Sequence, residues 1–183
     1  MTDVDGLARR SRPRRMSASL TGFTLVEVLI ASVILLIGIV AMLGAYIGDV
    51  TLNEHARNLT WALNDAHRVM ERLRQQNTGS GCTTPSATAP TGFASWDAWL
   101  NDASATGGGG KSVQPTPTTN ELITVTSSGT DPLTLTVAVC WRHRNRTLGE
   151  CAWNGTQLSP SDKNGNGVIE SPAMLSTLMS CRK

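Results

Sequence analysis

Glu27 is the only acid or base, apart from the phenol of Tyr46, in an apolar run that extends over residues 23–47. A carboxylate inside a membrane-spanning helix costs about 2.5–3.5 kcal/mol at the bilayer centre and less near an end. Such a residue is therefore expected to have a function and a charged partner. If the chain were cut between Gly22 and Phe23, the new α-amine would lie one helical turn from Glu27. An amine of this kind on a neighbouring copy of the helix could neutralise the carboxylate.

The cysteines are the second set of residues whose spacing could do chemistry, and all four follow the apolar run: Cys82, Cys140, Cys151 and Cys181. None belongs to a Cys-x-x-Cys pair, and no His-x(3–5)-His spacing accompanies them, so a zinc site is not expected. An even number on one side of a membrane segment favours two disulfides in an oxidising compartment. Four cysteines allow three connectivities. The leading one joins Cys140 to Cys151 across a short loop and Cys82 to Cys181.

Residues 142–146 form a basic stretch between two of the cysteines, with cations at Arg142, Arg144, Arg146 and, when protonated, His143. Such a stretch could contact nucleic-acid phosphates. However, the chain after residue 22 carries eleven basic and twelve acidic side chains, and no nucleic-acid-binding module is visible. The favoured interpretation is a solvated hairpin tip, and nucleic acid is not an expected partner.

Residues 162–170 resemble the start of a calcium loop. Oxygen-bearing side chains stand at its first, third and fifth positions, Gly167 is at the sixth and Ile169 at the eighth. The twelfth position, which should be acidic, is Ala173. An Asn/Gly turn is favoured, and a calcium site stays an open alternative.

An enzyme is not expected. The three histidines, His55, His67 and His143, occupy two sites in a helical pattern and one in a loop. No Gly-x-Ser-x-Gly or His-Glu-x-x-His motif places a nucleophile or a metal-bound water beside a base. No cofactor is expected either.

The element that must position Glu27 is a transmembrane helix. Residues 23–47 would extend about 37 Å as a helix, more than the bilayer core of about 30 Å. Five arginines precede the run and a polar body follows it, so the positive-inside rule places the amino terminus in the cytoplasm. A secretory signal peptide fits poorly, because its apolar region is about 7–15 residues long and a small-residue cleavage site follows it.

Residues 22–27, Gly-Phe-Thr-Leu-Val-Glu, and the apolar helix after them resemble the class III signal of type IV pilins and type II secretion pseudopilins. In that family a prepilin peptidase cuts after the glycine on the cytoplasmic face and methylates the new amine. The resemblance implies that Gly22 and Phe23 flank the cut, that Phe23 becomes the N-methylated first residue, and that Glu27 is the assembly carboxylate. A start at Met16 instead of Met1 would shorten the leader.

The apolar run most resembles that of PilV-type minor pilins, which prime fibre assembly and sit at or near the tip. The resemblance implies a structural subunit of a type IV pilus, single-pass in the inner membrane with its head in the periplasm, and later part of the cell-surface pilus. Its implied partners are other major and minor pilins, the prepilin peptidase and the inner-membrane assembly platform. Two alternatives remain, a minor pseudopilin of type II secretion and a pilus-borne adhesin or DNA-binding subunit.

Helical periodicity continues past the membrane run to about residue 76. The apolar residues at steps of three and four are Leu52, Ala56, Leu59, Leu63, Ala66, Met70 and Leu73. Polar residues, among them Asn58 and Asp65, are assigned to the other faces. The predicted divisions are a leader (1–22), a transmembrane and assembly helix (23–47), a soluble half of that helix (48–76) and a globular head (77–183).

The head is predicted to complete an α+β fold of the type IV pilin kind, with an αβ-loop over residues 77–120 and a sheet and stapled carboxy-terminal region over residues 121–183. Within the loop, residues 95–100 read as a short helix capped by Ser95, with tryptophans that favour core packing over a partner-binding patch. Residues 122–126 and 133–141 read as two antiparallel strands joined by a hairpin loop. The strict alternation of the second strand should turn one apolar face towards the long helix.

Overall fold

The computed structural model describes residues 22–114 and 116–182. Residues 1–21, which hold Met16 and nearly all of the predicted leader, lie outside the described part of the chain. The elements are α1 (Leu25–Gln76), α2 (Trp96–Asn101), a 3-10 turn (Thr118–Asn120), β1 (Glu121–Ser128), β2 (Leu133–His143), β3 (Arg146–Leu148), β4 (Cys151–Trp153), β5 (Leu158–Pro160) and β6 (Ala173–Met179). The chain divides into two compact units, Met1–Gly48 and Asp49–Lys183.

In the first unit the structure describes the start of α1. Its most apolar 18-residue window has a mean hydropathy of 2.9, and none of that window is buried. By length and composition this is a helix that could cross a membrane. It is the single such helix in the part of the chain that the structure describes.

The second unit is organised around β2, the central strand of a four-stranded antiparallel sheet. One edge of β2 pairs with β1, and the other pairs with β6 and then β3. Trp141 shows the arrangement, because it pairs with Glu121 on one edge and Leu148 on the other. β4 and β5 form a separate two-stranded ribbon. A long amino-terminal helix and a small antiparallel sheet make this an α+β fold, as the sequence predicted.

The alternation of β2 separates two hydrophobic cores, one on each face of the sheet. The predicted apolar face joins residues of α1 and α2 in the larger core, and its members on β2 are Leu133, Leu135, Val137, Val139 and Trp141. On the opposite face, Ala138 and Cys140 pack with Cys151, Leu158 and Ile169 in a smaller core. The sequence predicted the first core but not the second, because the opposite face of β2 begins with two threonines, Thr134 and Thr136.

The buried face of α1 differs from the predicted stripe. Leu52 is 68% exposed, and the buried positions run from Asn58 to Leu73. Assigning Asn58 and Asp65 to polar faces was wrong, since both are buried. Each has a polar partner brought by another element, which lowers the cost of burial. For Asn58 that partner is the Nδ1 atom of His143, 3.5 Å from its Nδ2.

The short helix α2 has the predicted cap and burial. The Ser95 hydroxyl accepts a hydrogen bond from the Ala98 N–H at 3.1 Å. Trp96 and Trp99 are both buried, and their rings meet edge to face with centroids 5.5 Å apart. Both indole N–H groups donate to backbone carbonyls. The tryptophans are therefore core residues and not a surface patch for a partner.

Candidate functional site

The predicted processing and assembly residues lie together at the start of α1. Gly22, Phe23 and Thr24 precede the helix, which begins at Leu25. Phe23 is 81% exposed, and Gly22 and Glu27 are exposed as well. A processing enzyme or a neighbouring subunit could therefore reach each of the three residues without unfolding the helix.

Thr24 caps α1, which the sequence reasoning missed. Its Oγ1 accepts a hydrogen bond from the Glu27 N–H at 3.3 Å, and its carbonyl accepts one from Val28 at 3.2 Å. Thr-x-x-Glu is the capping-box spacing, and that spacing was the signal available in the sequence. A carboxylate in the first turn also lies near the positive end of the helix dipole. Helix capping is thus a second role that Glu27 can have, separate from pairing with an amine.

No ion pair among residues 22–114 and 116–182 includes Glu27. The ion pairs of this part of the chain all lie beyond residue 53. The carboxylate is exposed on an apolar helix whose other side chains are suited to lipid or to other helices. The site is therefore chemically suited to binding a cation from outside the described chain.

A scan against family models, a search of the curated proteins and a search of the solved structures each found no match to this chain. Its function has to be inferred from its own residues.

The structure pairs the cysteines as Cys82–Cys181 and Cys140–Cys151, with Cα–Cα distances of 5.5 and 6.3 Å. This is the pairing that the sequence analysis placed first. The second disulfide lies in the smaller core and joins β2 to β4. Gly149, at φ +97°, passes so close that a Cβ there would lie 2.7 Å from the Cys140 sulfur, which explains a glycine at that position.

The basic stretch forms the β2–β3 hairpin. Its turn is Arg144-Asn145, both with positive φ, the conformation of the tight turns that suit the strand twist. Arg144 donates to the Glu54 carboxylate at 2.8 Å, and the Arg142 guanidinium lies 4.3 Å over the ring of Trp153. The tip is exposed, as the favoured prediction of a solvated hairpin tip had it, and it also contacts α1 through Glu54. Two of its three arginines already have partners within the chain.

Residues 162–170 form a turn closed by backbone amides. The Asp162 carboxylate accepts hydrogen bonds from Gly165 and Gly167 at 2.8 and 2.7 Å. These bonds, that of Gly167 above all, hold the pKa of Asp162 below its ordinary value. In the described ranges no group of three or more His, Cys, Asp or Glu side chains is placed to hold a metal. This geometry fits the favoured Asn/Gly turn.

The sequence reasoning also missed a cluster of charged residues in the second unit, called here the charge cluster: Asp65, Arg68, Asp97, Lys111 and Glu121. Asp65 is 0% exposed, Glu121 1% and Lys111 7%. Charged residues are almost never buried to this extent unless they are paired. The sequence did contain a signal that Glu121 faces inward. Alternate residues of a strand point to the same side, and Glu121 is two residues before the buried Ile123.

The charge cluster fastens residues 107–114 to α1 and to the start of β1. Asp65 accepts from the Ser112 N–H and hydroxyl, each at 2.7 Å, and is paired with Arg68. Arg68 in turn donates to the carbonyls of Gly108 and Gly110. These contacts replace the regular secondary structure that this glycine-rich segment lacks.

Replacing Asp65 by Ala is expected to destabilise the head by about 3 kcal/mol, because it leaves Arg68 without its buried counter-ion and the Ser112 N–H without an acceptor. Urea unfolding of the full chain in detergent measures this. The matched control is Glu71→Ala, which removes an exposed carboxylate of the same helix whose ion pair to Arg74 is 3.6 Å long and should cost at most about 0.5 kcal/mol. Equal effects of the two changes would contradict the prediction.

Proposed function

We propose that this chain is a minor pilin, a structural and priming subunit of a type IV pilus with the pilin fold. The observation that carries the proposal is an exposed apolar helix with one carboxylate, Glu27, a single turn from the exposed Gly22–Phe23 bond. The class III signal that residues 22–27 resemble gives each of these features a role.

Cleavage after Gly22 by a prepilin peptidase creates an amine on Phe23. The apolar helices of several subunits then leave the bilayer and pack side by side, so that lipid contacts are exchanged for helix contacts. Glu27 of one subunit meets the amine of Phe23 on its neighbour. The pairing neutralises a carboxylate that would otherwise be costly in the apolar bundle, and it sets the axial register of the subunits.

The glycines of the apolar helix support packing against other helices. Gly38, Gly44 and Gly48 each have open space where a Cβ would lie, so nothing described in the chain itself requires glycine there. Each costs the helix about 1 kcal/mol relative to alanine. Small residues at such positions allow neighbouring membrane helices to approach closely, which is what a fibre core of helices needs.

The proposed location follows from charge and redox chemistry. The arginine-rich leader stays in the cytoplasm, α1 anchors the chain in the inner membrane, and the head lies in the periplasm. The two disulfides of the head suit an oxidising compartment. Assembly then carries the subunit to the surface fibre through contacts with other pilins and the assembly platform.

The purified native polypeptide is expected to begin at Phe23 with a methylated amine, because the proposed mechanism needs the amine that cleavage exposes. Intact-mass spectrometry of chain from the producing cell measures this directly. A Gly22→Leu variant is the control and should retain its leader. Native chain that still carries residues 1–22 would overturn the proposal.

A further inference from the structure

The two buried carboxyl groups of the charge cluster hold the same stretch of chain from opposite sides. Asp65, on α1, accepts the Ser112 N–H at 2.7 Å. Glu121, at the start of β1, accepts the Gln114 N–H through its Oε2 at 3.0 Å. Residues 112 and 114 are alternate residues of one segment. The two carboxyl groups therefore clamp this segment between the helix and the sheet.

One oxygen of the Glu121 carboxyl group has no hydrogen-bond donor in the part of the chain that the structure describes, so no hydrogen bond compensates its burial when the group is ionised. Glu121 Oε1 is buried and makes no hydrogen bond within the described residues. A buried acceptor left in this state costs about 1–3 kcal/mol, and more when it is charged. The cost disappears if Glu121 is protonated, because its carboxylic acid can then donate a hydrogen bond to the Asp65 carboxylate.

The charges around Glu121 also favour its protonated form. Asp65 and Arg68 belong to α1, Asp97 belongs to α2, and Lys111 belongs to the segment before β1. Lys111 Nζ is 2.8 Å from an Asp97 oxygen and donates to the carbonyl oxygens of Thr118 and Glu121. With two cations and three carboxyl groups, the charge cluster is neutral only when one carboxyl group carries a proton.

Burial, the hydrogen bond that the protonated acid can donate to Asp65 and repulsion by the Asp65 charge together raise the pKa of Glu121 to about 8. The Gln114 amide and the Lys111 charge act in the opposite direction and are weaker. Because the folded chain holds this proton more tightly than the unfolded chain, where the pKa is 4.5, the contribution to stability is complete in acid. It declines as the pH rises above 4.5 and is lost above about 8.

We propose that Glu121 and Asp65 share one proton and form a pH-sensitive latch, which holds residues 107–114 against α1 and the sheet when protonated and releases them when the proton is lost. Ionisation places two carboxylates against each other in a buried site, and the segment between them is the part that can move to admit water. The latch therefore controls the shape of one surface of the head.

Two measurements on the full chain in detergent micelles test the latch. Carboxyl carbon NMR should show Glu121 titrating near its raised pKa. Hydrogen-exchange protection of residues 107–114, corrected for the intrinsic rate, should fall at least about tenfold between about pH 6 and about pH 10. Glu121→Gln imitates the protonated acid and should keep the protection at the higher pH.

The control for the latch is Glu71→Gln, which changes an exposed carboxylate of α1 and should leave the pH response as it is in the unmodified chain. A Glu121 carboxyl group that titrates near the ordinary glutamate value overturns the proposal. Equal loss of protection in the unmodified chain and in Glu121→Gln overturns it as well. The NMR titration uses the unmodified chain and decides the question even if the variant fails to fold.

Discussion

Replacement of Glu27 by Ala is expected to leave cleavage after Gly22 intact and to remove the chain from surface fibres. The peptidase acts at the Gly22–Phe23 bond, whereas assembly in the proposed mechanism needs the carboxylate to neutralise an amine. Without the carboxylate the amine of a neighbouring Phe23 would enter an apolar bundle uncompensated, at a cost of several kcal/mol. Immunoblots of sheared fibres and of membranes measure the distribution, and a loss of at least about tenfold from the fibres is expected, since each 1.4 kcal/mol is tenfold.

The Glu27→Gln variant distinguishes the two possible roles of Glu27, pairing with an amine and capping the helix. Glutamine suits the third position of a capping box as glutamate does, and the Thr24 hydroxyl that caps the Glu27 N–H is unchanged. If the negative charge is required, Glu27→Gln should fail to enter fibres just as Glu27→Ala does. Recovery of normal incorporation in Glu27→Gln would show that capping is the role of this residue, and normal fibres in Glu27→Ala would contradict the pairing mechanism.

Removal of the Cys82–Cys181 disulfide, by alanine at both positions, is expected to destabilise the head by about 5 kcal/mol, because chain entropy favours long closed loops. Its sequence separation is 99 residues, against 11 for Cys140–Cys151. The same relation gives about 3 kcal/mol for the shorter loop. Urea unfolding of the two double variants in detergent measures which of them loses more stability.

The reduced, unmodified chain is the control for this comparison. Cys140 and Cys151 are 0% and 3% exposed, so alanine there also removes packed sulfur atoms from the smaller core. Reduction opens the loops and leaves those atoms in place. Non-reducing peptide maps identify which disulfide survives in each variant. A larger loss from opening the short loop than from opening the long loop would contradict the loop-entropy account.

Local patterns in the sequence predicted most of the framework. The apolar run predicted α1, and the alternation from Leu133 to Trp141 predicted β2 and its apolar face. Ser95 predicted the start of α2. These predictions succeed because each depends on residues close together in the chain, whose period or cap is visible without knowledge of the fold. The disulfide pairing needed one further assumption, that the short loop closes on itself.

The charge cluster could not be predicted in the same way. Asp65 reads as a surface residue of a helix until Ser112 and Arg68 are seen to surround it, and Ser112 is distant in sequence. Glu121 reads as the polar start of a strand. The pairing of both residues depends on contacts with other elements that no local period encodes, and the phase of β1 indicates only that Glu121 faces inward. Glu27 stands out by its place in the apolar run, and its spacing from Thr24, which is that of a capping box, is an equally local signal.

β2 has consequences for how the head is made. This strand pairs along both edges and buries both faces, so neither core can close before it exists. The ribosome synthesises the inner face of α1 well before β2, and β6 only after that. The nascent head therefore exposes the apolar face of α1 until β2 has been synthesised, and a transiently exposed surface of this kind is prone to aggregation.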